Sequence, residues 1–579
     1  MRGATIARLT SNAWHYALLA ALLALLAAFL VYPIALTVRG GVATDIVAGT
    51  GWTTEHLARV FRDPVLRAGL FNSVTLAACT TLGTIVIALP LAVLAAGFRF
   101  PLKGAFNALV LVPMILPPFV GALGVRAILG RMGALNALLG THWDVLGNAK
   151  FWGVVGLQSL ALYPIIFLNA TAALANLDPA LDEAAENLGA GWWRRFTRIT
   201  LPLVRPGIFA GATIVFIWSF TELGTPLMFE YQTVTPVQIF NGLKEVENSA
   251  TPYALTIVML TSAIAMYVLG RFLFGGRAYA MYSKAARAGG EKDLPGWKGW
   301  LATGAFALVC LLAVTPHLGV VLVSLTAPGQ WYDSVLPAVF TASHYRQAMT
   351  AADSFGAIVN SLRLASIAML LDVALGVLIG YVLVRTTVRG RALLDALCML
   401  PLAVPGLVMA FGYVAMSMNW PFGRGHILEG WASVIGADPN PVPLLVGAYA
   451  VRRLPYIVRS TVSGLEQTSG ELEEAAVNLG ASRFTAVRRV IVPLIAANLI
   501  AGGLLVFSFS MLEVSDSVIL AQQSKDYPVT KAILAFTERL DDGQYIAAAL
   551  GVWGMALLAV TLVGASGLLG KKLGSIFRV

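Results

Sequence analysis

The chain has 579 residues, of which 58% are hydrophobic and only 12% charged, with a mean hydropathy of +0.77 and a formal net charge of +10. Soluble domains carry about 25% charged residues, so a soluble enzyme and a disordered chain are both excluded, and the composition is that of a polytopic membrane protein. In that setting the basic excess is first a matter of topology, since Lys and Arg collect in cytoplasmic loops, and no nucleic-acid partner is implied.

In chain order, Arg2 and Arg8 precede an apolar run at 16–36 that is long enough to span a bilayer. No small-x-small cleavage pattern follows it, so it is expected to be an uncleaved first helix. Further spanning runs follow at 70–97, 105–130, 152–175, 204–222 and 253–274. A basic linker, Arg277 to Lys298, contains Gly289-Gly290 and Pro295-Gly296. The same spacing then returns at 299–326, 356–384, 392–418, 442–462, 494–512 and 546–569. The expectation is an all-α polytopic fold of about twelve transmembrane helices: a first half at 1–276, a cytoplasmic linker at 277–298 and a second half at 299–579.

The halves are related in sequence. Asn72-Ser73-x-x-Leu76-Ala77 returns as Asn360-Ser361-x-x-Leu364-Ala365, and Pro113 and Pro117 return as Pro401 and Pro405, all at an offset of 288. Later landmarks shift to 291, pairing Pro164 with Pro455, Glu183 with Glu474, Gly189 with Gly480, Pro202 with Pro493 and Glu222 with Glu513. Six helices per half give both halves the same orientation, a parallel repeat. One choice of side collects 24 of the 40 Lys and Arg residues, counting Arg205, Arg271 and Arg459 at the ends of spans, against 12 in the opposite loops and four deeper within spans, Arg126, Arg363, Arg452 and Arg453. That side is read as cytoplasmic, with both termini on it.

Two loops on that side match best. The first reads Leu177-Asp178-Pro179-Ala180-Leu181-Asp182-Glu183-Ala184-Ala185-Glu186-Asn187-Leu188-Gly189, and the second runs from Thr468-Ser469-Gly470-Glu471 through Glu474-Ala475-Ala476 to Gly480. Asp178 before Pro179 predicts an N-cap with proline in the first turn, and Thr468 with Glu471 has capping-box spacing. Gly189 and Gly480 suit a left-handed helix end. Each loop is thus expected to open with a short helix that needs something to dock against. A basic amphipathic segment follows, Trp192-Trp193-Arg194-Arg195-Phe196 in one half and Arg483-Phe484 to Arg488-Arg489 in the other, ending at the proline that starts the next span.

Glu-Ala-Ala-x3-Gly-x9-Ile-x-Leu-Pro resembles the cytoplasmic motif of binding-protein-dependent ABC importer permeases. Glu183, Ala184, Ala185, Gly189, Ile199, Leu201 and Pro202 match in full, while the second half keeps Glu474, Ala475, Ala476, Gly480 and Pro493 with Val490 and Val492 at the aliphatic positions. The likeness covers the chain twice, as two permease subunits fused. It implies that each short helix couples to one of two ATPase subunits, that ATP and Mg sit on those partners with no cofactor on this chain, and that a substrate-binding protein docks outside. It further implies a bacterial inner-membrane location. The fused arrangement and the segment Leu116-Pro117-Pro118-Phe119-Val120-Gly121-Ala122-Leu123-Gly124 look most like ferric-iron permeases, with thiamine, polyamine and phosphonate permeases close by. No phosphate-binding loop is present: the nearest string, Gly570-Lys571-Lys572, has Ala565 where the first glycine belongs. The chain is therefore expected not to hydrolyse ATP.

Ionisable residues within spans are candidates for a translocation pathway. Arg452 and Arg453 fall in the tenth expected helix, where the first half has Ala161 and Leu162. They could attract an anionic substrate, or hold a gate by ion pairing. Glu222 and Glu513 take equivalent places at the ends of the fifth and eleventh helices, while Asp372 and Asp395 are expected to pair with nearby bases. The cysteines Cys79, Cys310 and Cys398 and the histidines 15, 56, 142, 317, 344 and 426 show no ligand spacing, so no metal site is proposed. A rival class, an ion-gradient-driven secondary transporter with 6+6 repeats, leaves the paired Glu-Ala-Ala loops unexplained.

Overall fold

The computed structural model describes residues 2–45, 50–115, 117–246, 249–274 and 292–569. Most of the expected linker, Leu116 and the Gly570-Lys571-Lys572 string lie outside the described residues. Among the described residues nine helices are long and apolar enough to cross a membrane, or eleven if each of two bent pairs counts as one span. The helix at the tenth expected span, Val442–Glu466, is also long, but it carries Arg452, Arg453, Arg459 and Glu466. Strand is confined, among the described residues, to Phe98–Arg99 paired in parallel with Lys292–Asp293.

The elements that position the functional surfaces are, in the first half, α1 (Ala13–Val42), α2 (Pro64–Gly97), α3 (Lys103–Leu109), α4 (Pro118–Leu129), α5 (Lys150–Ala175), α6 (Pro179–Asn187), α7 (Leu201–Thr221), α8 (Thr235–Asn241) and α9 (Thr251–Phe274). Their counterparts in the second half are α10 (Trp297–Ser324), α11 (Ala352–Arg385), α12 (Arg391–Met399), α13 (Gly406–Met418), α14 (Val442–Glu466), α15 (Glu471–Asn478), α16 (Ala496–Met511), α17 (Val529–Thr537) and α18 (Gly543–Leu569). Each element of the first half thus has its partner nine labels later.

The third expected span of each half, 105–130 and 392–418, is not one helix. It breaks at the repeated prolines, leaving α3 apart from α4 and α12 apart from α13, and the axes of Arg391–Leu402 and Gly406–Met418 meet at 104°. Proline lacks an amide hydrogen and pushes its predecessor out of the helical region. Pro117 and Pro405 take extended ψ values of 135° and 133° and restart the chain at α4 and α13. Apolar composition signals burial in the membrane, but it does not register this turn. The eleventh span is bent as well, by 78° at Ile495, so Pro493 opens a three-residue helix, Val492–Leu494, ahead of α16.

The first helix of each half crosses to the other half. The C-terminal part of α1 packs on α13, and α10 packs on α4. Repeat-equivalent glycines make the crossings possible. A Cβ on Gly124 would stand 2.2 Å from the Pro316 carbonyl oxygen and 2.7 Å from the Val320 nitrogen, and one on Gly412 would stand 2.8 Å from the Pro33 carbonyl. Pro33 cannot donate to the Phe29 carbonyl four residues back, and the Tyr413 hydroxyl fills that gap at 2.6 Å.

The Asn-Ser pairs that mark the repeat do the same work in each half. Thr235 N donates to Ser73 Oγ (2.9 Å) and Asn72 Nδ2 to the Thr233 carbonyl (2.8 Å). Val529 N donates to Ser361 Oγ (2.8 Å) and Asn360 Nδ2 to the Tyr527 carbonyl (3.3 Å). Each pair binds the orphan first-turn amide of α8 or α17, helices that lie between the fifth and sixth expected spans of each half.

Candidate functional site

Two surfaces gather the residues singled out by the sequence. The first is the pair of short helices α6 and α15. The Asp178 carboxylate accepts the Ala180 amide at 2.9 Å, as the Asp-Pro sequence predicts. At the other end Gly189 (φ +78°) and Gly480 (φ +93°) take the left-handed conformation that an L side chain resists. The cap bonds repeat closely: Gly189 N to Glu186 O (2.8 Å) and Ala190 N to Ala185 O (3.0 Å), against Gly480 N to Val477 O (2.9 Å) and Ala481 N to Ala476 O (3.1 Å). This is a Schellman end, and it gives the motif a local cause: Ala185 and Ala476 supply the carbonyl that the chain past each glycine returns to.

The capping box expected at Thr468 does not form. Thr468 Oγ1 donates to the Leu465 carbonyl and accepts from Arg385 Nη2 (2.8 Å), and the Glu471 amide turns instead to Ser469 Oγ (3.2 Å). Arg385 also reaches the Leu465 and Thr468 carbonyls (3.0 and 2.8 Å), and the Tyr381 hydroxyl donates to Glu473 Oε1 at 3.1 Å, so α15 and the turn before it are tied to the membrane helix α11. The first loop is held differently. Arg195, buried in its own loop, pairs with Asp182 (3.1 Å) and Glu186 (2.9 Å), and Lys292 of the linker approaches Glu186 at 3.8 Å. The Arg195 guanidinium holds the Glu186 carboxyl below its ordinary value.

On the outward faces Glu183, Ala184, Glu474 and Ala475 are exposed, while Ala185 and Ala476 are half-buried. Sequence reasoning passed over the leucines beside them. Leu188 and Leu479, one residue before each glycine, are 88% and 89% exposed, and the equivalent pair Leu181 and Leu472 is about half exposed. Their signal was present as identical apolar residues at matching places in both loops. After each loop a wide π-helical turn, Phe196–Thr200 or Val487–Ile491, leads into the proline, a turn type that recurs at functional sites.

The second surface is a cavity of about 220 Å³ between the halves, walled by the broken third spans together with α5, α7, α14 and the end of α16. All four candidate pathway residues line it: Arg452, Arg453, Glu222 and Glu513. Ala161 and Leu162, the first-half counterparts of the arginines, line it too, so one wall is apolar where the other is charged. Arg452 Nη1 donates to Glu513 Oε1 (2.6 Å) and to Asp516 Oδ2 (3.3 Å), and Arg453 Nη2 to Glu513 Oε2. Glu513 and Asp516 are buried. Glu222 caps the turn after α7, its Oε1 accepting the Thr225 amide at 3.1 Å. The two arginines thus pair with two carboxylates, Glu513 and Asp516, and their charge is already engaged within the second half. Asp395 pairs with Arg459 at 3.5 Å as expected. Asp372 does not pair: it is buried in α11 with no hydrogen-bond partner on either oxygen. Among the described residues no group of three or more His, Cys, Asp or Glu side chains could hold a metal ion.

The family described as binding-protein-dependent transport system inner membrane component matches residues 88–278 and again 372–567. The chain belongs to this family. The two matches make it a permease with both halves on one chain. It is 26% identical over 418 residues to the putative ferric transport system permease protein FbpB 1 of Haemophilus influenzae, covering 71% of this chain and 63% of that protein, just under two thirds of the relative's length. The Fe(3+)-transport system permease protein FbpB 2 of the same organism is 25% identical over 86% of this chain and 88% of its own length. A probable molybdenum ABC transporter permease protein of Haloferax volcanii is 32% identical over 35% of this permease and 74% of its own length.

Proposed function

We propose that this permease is the membrane component of an ATP-driven importer whose cargo is a hard metal cation, ferric iron before others. Two ATPase subunits seat on α6 and α15, a cargo-loaded binding protein docks outside, and both termini lie in the cytoplasm. The observation that carries the reading is the duplication of one docking surface: two Schellman-capped helices offering the same carboxylate, the same two alanines and the same exposed leucines. Such a surface suits two copies of one partner. In use, ATP-driven approach of the partners draws α6 and α15 together, the cavity opens toward the binding protein, and hydrolysis resets it. ATP and Mg act on the partner subunits.

The cargo rests on the ferric relatives and on the cavity. Glu222 and Glu513 face it from repeat-equivalent positions, and carboxylate oxygens suit hard cations. A molybdenum oxyanion, suggested by the Haloferax relative, would need cationic groups, yet Arg452 and Arg453 are occupied by Glu513 and Asp516. Thiamine, a polyamine or a phosphonate are the remaining alternatives.

The test is reconstitution into vesicles with and without a candidate ATPase subunit and a candidate binding protein, measuring uptake of ferric iron against molybdate. Uptake should require both partners and ATP. Reversing charge at Glu183 and Glu474 together should let ATP hydrolysis run without uptake. Full uptake by the chain alone on an ion gradient would overturn the reading, and molybdate uptake in place of iron would overturn the cargo.

A further inference from the structure

Asp372 and Arg453 are two halves of an unmade contact. The helices that carry them, α11 and α14, approach closely at two places. A Cβ on Gly376 would stand 2.9 Å from Ile457 Cγ1, and one on Gly380 would stand 2.7 Å from Thr461 Cγ2. These pairs fix a parallel register in which each residue of α11 faces the one numbered 81 higher on α14. One turn earlier, the same register sets Asp372 opposite Arg453.

Both groups are left wanting. Asp372 is fully buried with neither carboxylate oxygen hydrogen-bonded, and Arg453 Nε is buried without a partner. Arg453 instead turns toward the cavity, giving Nη2 to Glu513 Oε2 and lying over the Phe509 ring at 5.7 Å. A buried carboxyl group without a hydrogen-bond partner is costly, and in a membrane such groups mark function. The repeat supplies an internal control: the first-half counterparts are Thr84 and Leu162, so both charges are absent there together.

We infer that Asp372 is a positioning residue, the alternate partner of Arg453, and that Arg453 exchanges between Glu513 and Asp372 as the permease changes state. In the state described, Glu513 is neutralised by both arginines. When Arg453 swings to Asp372, Arg452 stays shared between Glu513 and Asp516, and Glu513 Oε2 is released into the cavity. That oxygen then faces the passing cation together with Glu222 of the other half. The exchange ties exposure of a cation ligand to the conformational cycle. This inference rests on the proposed importer function.

The test uses the complex with its ATPase subunits in lipid nanodiscs, with Cys79, Cys310 and Cys398 replaced by alanine and spin labels on Trp143→Cys and Leu540→Cys. These exposed positions report on the outer loops of the two halves. Pulsed electron resonance then reads the populations of two label distances, with and without a non-hydrolysable ATP analogue. Asp372→Asn removes the alternate partner and should favour the state described by at least threefold. Glu513→Gln removes the present partner and should shift the ratio the other way by a similar factor. The double variant should return toward the starting ratio. Opposite shifts with mutual compensation lie outside what loss of a merely structural residue produces. If the analogue shifts the distances in the parent while the variants shift them in the same direction or not at all, the exchange is overturned and the importer reading stands. If the analogue leaves the parent unmoved, both fall.

Discussion

Replacing Gly124 by alanine tests the crossing of the two halves at its tightest point. The added Cβ would lie 2.2 Å from the Pro316 carbonyl oxygen, whereas even a close carbon–oxygen contact needs about 3.3 Å. The helices α4 and α10 must therefore part by about 1 Å, which forfeits roughly a quarter to a half of the dispersion attraction along the seam. Overpacking of this kind costs about 1–3 kcal/mol, partly masked by the ~1 kcal/mol that alanine gains over glycine in a helix. Gly304, on the same helix α10, has nothing within 4 Å of an added Cβ, so Gly304→Ala takes the helical gain without the clash. Comparing the two variants isolates the clash. Unfolding in mild detergent, followed by thermal midpoint, should place Gly124→Ala below Gly304→Ala by about 1–3 °C. Coincident midpoints would refute the close backbone crossing.

Three further outcomes are expected. A protease site inserted between residues 277 and 291 and then cut should leave the halves co-eluting in mild detergent, because α1 and α10 each pack on the opposite half; separation on a sizing column would contradict this. Tyr413→Phe should lower stability by about 1–3 kcal/mol, since it strips the Phe29 carbonyl of the donor that replaces the missing Pro33 amide; an unchanged unfolding midpoint would count against that role. Glu186 is held below its ordinary value by Arg195, so its stabilising share is present above the unfolded carboxylate value and is lost as pH falls through the lowered folded value. Glu186→Gln should accordingly flatten the loss of stability on acidification, visible in unfolding midpoints collected from pH 7 down to about pH 3.

The duplicated loops and the Asn-Ser landmarks were legible because their cause is local. An Asp-Pro start, a glycine end and a residue that caps a neighbouring helix follow from backbone hydrogen bonding, and the repeat displays each device twice. The spans were legible as apolar lengths, yet apolarity is blind to direction. The break at Pro117 and Pro405 needs the proline geometry read together with the wall it builds. The Thr468 capping box failed for a tertiary reason: Arg385, 83 residues earlier, takes the hydroxyl and its neighbouring carbonyls. The arginine pair was visible as an anomaly of one half, but its partner Glu513, about 60 residues further on, became identifiable only when α14 and the end of α16 met at the cavity. Nothing in the sequence alone says that α1 and α10 change sides.

That exchange of first helices has a consequence for synthesis. As the chain emerges from the ribosome in order, α4 must wait with its Gly124 seam empty until residues 297–324 have been made and inserted. The first half therefore cannot finish its own packing from its own residues. Nor can α1, which also packs on α9 of its own half, complete its berth until α13 has been made. The last-made helix docks beside α10, so closure of the bundle is deferred to the end of translation. A chain truncated after the first half should be a substrate for membrane quality control rather than a smaller working permease.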